Sequence, residues 1–175
     1  MANREALREL QSRLALKLEA AKTTTTSASW LGVESGGARF LFPLKQSGEI
    51  FAVPALQPVA YTQGWFMGVA SLRGGLYGVV DFAAFVASQR TPEAPTGQTE
   101  ARLVTVNSLL ELNCALMVDR LSGLRNPEAF ALQQAAPDDA PAYFGHCYTD
   151  HGGLQWQEIN LQLLCMQERF VQISA

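Results

Sequence analysis

Residues 65–81 read WFMGVASLRGGLYGVVD, and this stretch carries the clearest fold information in the chain. Two apolar runs, the first interrupted by a glycine, predict strands on either side of a tight turn at Gly74-Gly75. Asp81 then precedes residues 82–87, where its side chain is suited to cap a short helix. The stretch therefore predicts a strand, a turn, a second strand and a capped helix.

The same order of features returns in the second half of the chain. An aromatic residue, a double glycine and a helix-capping residue follow one another twice, as Phe66, Gly75 and Asp81 and then as Phe144, Gly153 and Asn160. The recurrence predicts two related lobes. Many short strands with frequent turns favour small β-barrels, because closure of a sheet removes its exposed edges.

The remaining elements are predicted to be short. Residues 39–44 and 49–53 flank a glycine-containing turn and predict a hairpin. Residues 143–149 and 154–159 flank the turn 150–153 and predict another hairpin. Further predictions are strands at 103–106, 114–118 and 121–124, a loop at 133–142 and an amphipathic helix at 161–170.

The N-terminal part differs from the rest of the chain. Residues 3–21 predict an amphipathic helix with leucines on one face, which packs either on the protein's own surface or on a partner. A Thr-rich stretch follows and predicts a linker. We therefore expect 1–29 to form a helix and linker, 30–172 to form the folded domain, and 91–100 to be an exposed loop between its lobes.

The composition excludes several classes of protein. Hydrophobic residues make up 48% of the 175 residues, which is enough to bury a core in one domain or in two small lobes. The net charge of −3 and the lack of Lys or Arg runs argue against binding to nucleic acid. The sequence predicts neither a transmembrane span nor a signal peptide.

Candidate catalytic groups are few. His146, Cys147 and His151 lie close in sequence and could form a metal site or a Cys–His pair, but no established metal-ligand spacing accompanies them. The odd number of cysteines without a CxxC pair indicates small buried thiols, and Cys114 and Cys165 would meet only through the fold. We expect no catalytic site, cofactor or metal.

Arg73 stands out because its neighbours are apolar. One interpretation is an arginine that lies over the edge of the core with a buried stem. The other is an anchor for a partner, since arginine is enriched at the energetic centres of interfaces. The residues alone leave these two interpretations even.

The quoted stretch resembles the signature of the CheW-like chemotaxis coupling proteins. The matching positions are Gly68-Val69, Leu72-Arg73-Gly74 and Val79-Val80-Asp81. The strand that ends in Val118-Asp119 and the segment from 143 to 160 are similar to the second lobe of that family. Gly78 stands where many members have proline, and Asn160 stands where aspartate is common.

The resemblance implies a mostly β fold of two intertwined five-stranded SH3-like barrels, with short helices and an N-terminal helix. It implies a non-enzymatic cytoplasmic adaptor at membrane-associated receptor arrays, which couples the tip of a methyl-accepting chemoreceptor to the regulatory domain of a CheA-like histidine kinase. Within the family, the chain looks most like the branch of the type IV pilus (twitching motility) chemosensory systems.

The resemblance also implies a set of partner-binding residues. Gly68 and Arg73 match positions that the family uses in receptor coupling, and we expect Gly68 to let a partner helix approach closely. Two other interpretations stay open: a regulatory or ligand-sensing module of the same fold, and an enzyme that acts through His146, Cys147 and His151. The expected partner-binding residues are Gly68, Leu72, Arg73, Gly74, Ala115 and Leu124.

Overall fold

The structure is a computed structural model that describes residues 29–87 and 100–175. The predicted N-terminal helix, nearly all of the predicted linker and most of the predicted loop at 91–100 lie outside the described residues.

The described strands form two sheets. The first sheet has six strands in the order β8-β1-β2-β11-β10-β9. Its strands are β1 (Trp30–Ser35), β2 (Ala38–Pro43), β8 (Arg120–Arg125), β9 (Phe130–Gln134), β10 (Phe144–Asp150) and β11 (Gln155–Ile159).

The second sheet has five strands in the order β3-β6-β7-β5-β4. Its strands are β3 (Ser47–Ala52), β4 (Phe66–Leu72), β5 (Gly75–Asp81), β6 (Arg102–Val106) and β7 (Cys114–Val118), and the helices are α1 (Phe82–Ala87), α2 (Leu161–Cys165) and α3 (Glu168–Val171). The predicted mostly β class is therefore confirmed. The first sheet has one strand more than the five that we expected, because β9 forms at its edge.

The central hairpin shows why these residues form strands. In β4, the buried residues Gly68, Ala70 and Leu72 alternate with more exposed neighbours, as expected when one face of a strand packs on a core. β4 pairs antiparallel with β5, and both strands agree closely with the prediction from the quoted stretch.

The repeat predicted from the sequence is present in three dimensions. β4, β5 and α1 correspond to β10, β11 and α2. The backbone N–H of Asp81 donates to the Trp65 carbonyl, and that of Asn160 donates to the Tyr143 carbonyl, each at 2.8 Å. In each repeat the second strand also has a parallel neighbour, β7 beside β5 and β2 beside β11. The two halves are therefore built from the same supersecondary unit.

The predicted hairpin of residues 39–44 and 49–53 is wrong. β2 lies in the six-stranded sheet between β1 and β11, whereas β3 pairs with β6 in the other sheet. The turn between β2 and β3 carries the chain from one sheet to the other. Turn-forming residues between two strands do not determine whether those strands pair, because each strand can gain more burial with a distant partner.

Two further predictions at the C-terminal side need correction. The predicted loop at 133–142 begins inside β9, so the strand was missed, and four of the five residues of β9 are exposed. The predicted helix at 161–170 is divided into two short helices: α2 ends at Cys165, and α3 begins after Gln167.

The strand β1 is a further element that the sequence analysis did not predict.

The largest core cluster joins the two sheets. It contains side chains from strands of both sheets and from all three helices, including Val33, Phe82, Leu116 and Leu164. A smaller cluster lies under the β4–β5 hairpin, and another surrounds Trp156 in the six-stranded sheet. The sheets are therefore held together by a shared apolar interior.

Candidate partner-binding surface

The β4–β5 hairpin ends in a two-residue turn formed by Arg73 and Gly74. Leu72 and Gly75 are the last paired residues, and the two residues between them have φ angles of +46° and +80°. Positive φ at both central positions is the property of a type I′ turn, which matches the twist of the two strands. The turn therefore lies one residue earlier than the predicted Gly74-Gly75, and it presents the Arg73 side chain at the tip.

Arg73 is exposed and paired. Its side chain is 74% exposed, its Nε lies 3.0 Å from Glu49 Oε2, and its Nη1 donates to Glu49 Oε1 at 3.1 Å. The interpretation of a buried stem is therefore wrong. Exposed ion pairs contribute only about 0.2–1 kcal/mol to stability. Stability is thus a weak reason for an arginine at this position.

The ion pair brings together two parts of the five-stranded sheet that are distant in its strand order. Glu49 lies on β3, at one edge of the sheet, and Arg73 joins β5 to β4, which is at the other edge. Leu76, just beyond the turn, is 64% exposed, and Ile50, next to Glu49, is 45% exposed. We call Glu49, Ile50, Arg73, Gly74 and Leu76 the tip surface.

Gly68 has a different role from the expected one. Its φ is +117°, and an added Cβ would lie 2.2 Å from the carbonyl oxygen of Gln57. Gln57 and Val69 exchange two backbone hydrogen bonds of 2.8 and 2.9 Å. The expected approach of a partner helix at Gly68 is therefore wrong, because the chain's own segment at Gln57 and Pro58 already covers this glycine.

The other expected residues divide into buried and exposed groups. Leu72 is 5% exposed and Ala115 is completely buried, and both belong to the cluster under the hairpin. These two support the tip surface and do not offer a contact themselves. Leu124 is 63% exposed on β8, at the edge of the six-stranded sheet, so it lies on a different sheet from Arg73.

Sequence reasoning missed Glu49, Ile50 and Leu76. Leu76 could have been found, because it directly follows the turn of the predicted hairpin, where an apolar side chain has few neighbours. Glu49 carried no such signal, since its position beside Arg73 depends on how the sheet curves.

The two candidate catalytic histidines have different partners in the structure. His146 Nδ1 lies 3.7 Å from Glu158 Oε2, whereas a ring nitrogen of His151 is 3.0 Å from the carbonyl oxygen of Glu128. Cys147 lies within β10. Across residues 29–87 and 100–175, no group of three or more His, Cys, Asp or Glu side chains is placed to hold a metal ion. In the same residues, no helix has the length and apolar character that crossing a bilayer requires.

Asp150 organises the turn of the second hairpin. One carboxylate oxygen accepts hydrogen bonds from the backbone N–H groups of Gly152 and Leu154, each at 2.9 Å. The other accepts from the indole N–H of Trp156 at 3.0 Å. The indole donor, followed by the backbone donors, lowers the pKa of Asp150 because these bonds favour the ionised form. This acid therefore has a structural role.

Comparison with known proteins places the chain in a family. Residues 29–167 match the CheW-like domain. Over 114 residues the chain is 29% identical to Protein PilI of Pseudomonas aeruginosa, in an alignment that covers 65% of this chain and 61% of the relative. The chain therefore matches somewhat less than two thirds of that relative's length. The expected likeness to the pilus branch of the family is confirmed.

A solved structure shows the same fold. The crystal structure of the scaffolding protein TtCheW from Thermoanaerobacter tengcongensis superposes with a TM-score of 0.63 at 13% sequence identity. The match covers 79% of this chain and 92% of that one. Shared architecture at this identity concerns the fold and not the individual contacts.

Proposed function

The chain belongs to the CheW-like domain family, and from this membership we propose that it is an adaptor that couples a methyl-accepting chemoreceptor to a CheA-like histidine kinase. It is not an enzyme. The partners are the cytoplasmic tip of the receptor and the regulatory domain of the kinase. The likeness to PilI supports a role in twitching-motility signalling, in the cytoplasm at membrane-associated receptor arrays.

The tip surface is the observation that carries this proposal. It combines the exposed guanidinium of Arg73 and the exposed side chain of Leu76, both on the β4–β5 hairpin, with the exposed side chain of Ile50 on β3. Arginine and apolar side chains of this kind form the energetic centre of many interfaces, because the planar guanidinium can bind a carboxylate while its neighbours exclude water. Such a surface fits a helical receptor tip that carries acidic and apolar side chains.

An adaptor also needs a second surface. Leu124 on β8 provides an exposed apolar side chain on the other sheet. Partners at Arg73 and at Leu124 would contact different sheets, so that both can be bound at once. Leu72 and Ala115 support the tip surface from the cluster beneath the hairpin, and Gly68 lets the segment at Gln57 pack against β4.

In the proposed architecture the two sheets are intertwined SH3-like barrels within a domain of residues 30–172. The ion pair between Arg73 and Glu49 supports closure of the five-stranded sheet, because it joins its two edges. The contact between Trp30 and Phe130, with ring centroids 5.9 Å apart, supports curvature of the six-stranded sheet in the same way. In sequence, β3 to β7 lie between the two groups of strands that form the first sheet.

The test reverses the charge at the tip. Arg73→Glu should weaken capture by an immobilised receptor tip or by the kinase regulatory domain by at least about tenfold, as loss of an interface hot spot does. Far-UV circular dichroism should stay unchanged and the melting temperature should fall by only a few degrees, because the side chain is exposed and its ion pair contributes at most about 1 kcal/mol. Lys45→Glu reverses an exposed cation on the turn between β2 and β3 and serves as the matched control.

A second variant separates partner binding from the ion pair. In Glu49→Arg/Arg73→Glu the two charges are exchanged, so that the pair can form again while the tip stays reversed. We expect this variant to remain defective. Undiminished capture of both partners by Arg73→Glu, or recovery in the exchanged variant, would contradict the proposed role of Arg73.

A further inference from the structure

Within residues 29–87 and 100–175 the two sheets have four edge strands, and three of them are protected. β8 carries Arg120 and Arg125, and β3 carries Glu49. The outer side of β4 is covered by the segment at Gln57, which exchanges two backbone hydrogen bonds with Val69. Charged side chains and covering segments are common devices that keep an edge strand from pairing with another chain.

β9 is the fourth edge strand, and it has neither kind of protection. Residues 130–136 read FALQQAA and contain no charged residue and no proline. Residues 131–135 are all exposed, and Leu132 is 50% exposed. Among the described strands, β10 is the one neighbour of β9. Since alternate residues of an edge strand direct their N–H and C=O groups away from the sheet, β9 offers a further strand a place to pair.

Phe130 anchors the start of this strand. Its ring contacts those of Trp30, Tyr148 and Trp156, with centroids 5.9, 5.1 and 6.5 Å away. From this anchor the strand runs along β10 as far as Gln134. The outer edge of β9 is therefore already extended, and a partner strand does not have to order it first.

We propose that β9 is a self-association surface, which pairs antiparallel with β9 of a second copy of this chain. The two six-stranded sheets then continue into each other. An anchored, exposed and uncharged edge strand carries this inference. It goes beyond the adaptor function and does not depend on it.

The sequence of β9 is compatible with pairing to itself. A two-fold axis that places Leu132 opposite its own copy uses all five residues of the strand. Ala131 then faces Gln133 of the other copy, and Phe130 faces Gln134. The central pair is apolar, and no like charges oppose each other along the strand. A second copy therefore meets the requirements of this edge without any other component.

The size of the strand determines how strong the dimer is. Stable interfaces bury about 800 Å² on each partner, and a strand of five residues covers less than this. Pairing should therefore be weak and should depend on the protein concentration. It is favoured wherever copies of the chain are held close together.

Sedimentation velocity of the full chain over a concentration series tests the proposal, with dithiothreitol present so that disulfides do not contribute. We expect the mass to rise from 19.0 kDa in dilute solution toward about twice that value in concentrated solution. Hydrogen exchange followed by mass spectrometry should show slower exchange of the backbone amides of 130–134 in the concentrated sample.

Charged side chains at position 132 test the contact itself. Leu132→Lys and Leu132→Glu each place two like charges opposite each other, and each should weaken self-association by at least about tenfold. An equimolar mixture of the two variants should associate again, because opposite charges then face each other. Leu109→Lys changes a leucine that is 84% exposed between β6 and β7, away from β9, and serves as the matched control.

A chain that stays monomeric at every concentration would overturn the proposal. Undiminished association of Leu132→Lys would do the same, since it would place the contact on another surface. A mixture of the two charged variants that stays monomeric would exclude the pairing of β9 with its own copy. If a charged variant fails to fold by circular dichroism, hydrogen exchange of the unchanged sequence decides, and amides of 130–134 that do not slow with concentration contradict the proposal.

Discussion

At the scale of single residues, Arg73 is placed where local physics gives it little support. Its φ of +46° is in the left-handed region, which costs an ordinary L-residue about 1–2 kcal/mol. The exposed ion pair with Glu49 returns about 0.2–1 kcal/mol at most. Glycine or asparagine would suit this turn position better. An arginine is therefore better explained by binding than by folding.

Gly68 is a residue whose replacement even by alanine should be damaging. Gly68→Ala would force a Cβ against the Gln57 carbonyl at a φ of +117°. Strain and displacement of the covering segment should lower the free energy of unfolding by about 3 kcal/mol. Urea denaturation followed by circular dichroism measures this loss.

Gly74→Ala is the matched control for that measurement. Gly74 also has a positive φ, +80°, but an added Cβ there has no neighbour within 4 Å. Only backbone strain remains, so we expect a loss of about 1 kcal/mol. Equal losses in the two variants would show that the covering segment contributes nothing.

At the scale of elements, both copies of the repeated unit start their helix with the same kind of side-chain cap. The backbone N–H of Ala84 donates to Asp81 Oδ1, and that of Leu163 donates to Asn160 Oδ1, both at 3.0 Å. The capping residue follows the second strand of each hairpin and turns the chain into the helix. Since each helix is only a few residues long, the cap determines where it begins.

If the Asn160 side chain caps α2, its removal should destabilise the protein. Asn160→Ala should lower the free energy of unfolding by about 1 kcal/mol, because the N–H of Leu163 loses its acceptor. Asn160→Asp keeps an acceptor in the same place and should stay close to the original stability. Thermal unfolding of the three proteins provides the comparison. A loss of the same size in the aspartate variant would exclude capping as the cause.

At the scale of the whole molecule, the chain leaves the first sheet after β2, builds the second sheet, and returns with β8. The first strand is fixed by partners from the far end of the chain. Trp30 Nε1 donates to Glu158 Oε1 at 2.7 Å, and the backbone N–H of Ser29 donates to the Arg125 carbonyl at 2.9 Å. These contacts fix Ser29 and the start of β1 to the rest of the described body.

Removal of residues 1–28 should therefore leave the body folded. The truncated chain keeps Ser29 and Trp30, so every contact described above remains. We expect an unchanged β-type circular dichroism spectrum and a melting temperature within about 3 °C of the full chain. Insolubility or a markedly lower melting temperature would mean that the N-terminal part packs on the body and belongs to it.

The sequence by itself determined the local units of this protein. The β4–β5 and β10–β11 hairpins, the caps at Asp81 and Asn160, and the repeat were predictable, because their contacts join residues that are close in the chain. The motif around Leu72-Arg73-Gly74 also indicated the family. Of the expected binding residues, the motif located Arg73 and Gly74 at an exposed tip, but it did not separate them from buried positions such as Leu72.

Only the tertiary structure decided which distant parts meet. It separated β2 from β3, covered Gly68 with the segment at Gln57, and placed Glu49 beside Arg73. The physical reason is that strand partners are chosen by burial across the whole chain, whereas turn chemistry and caps act over a few residues.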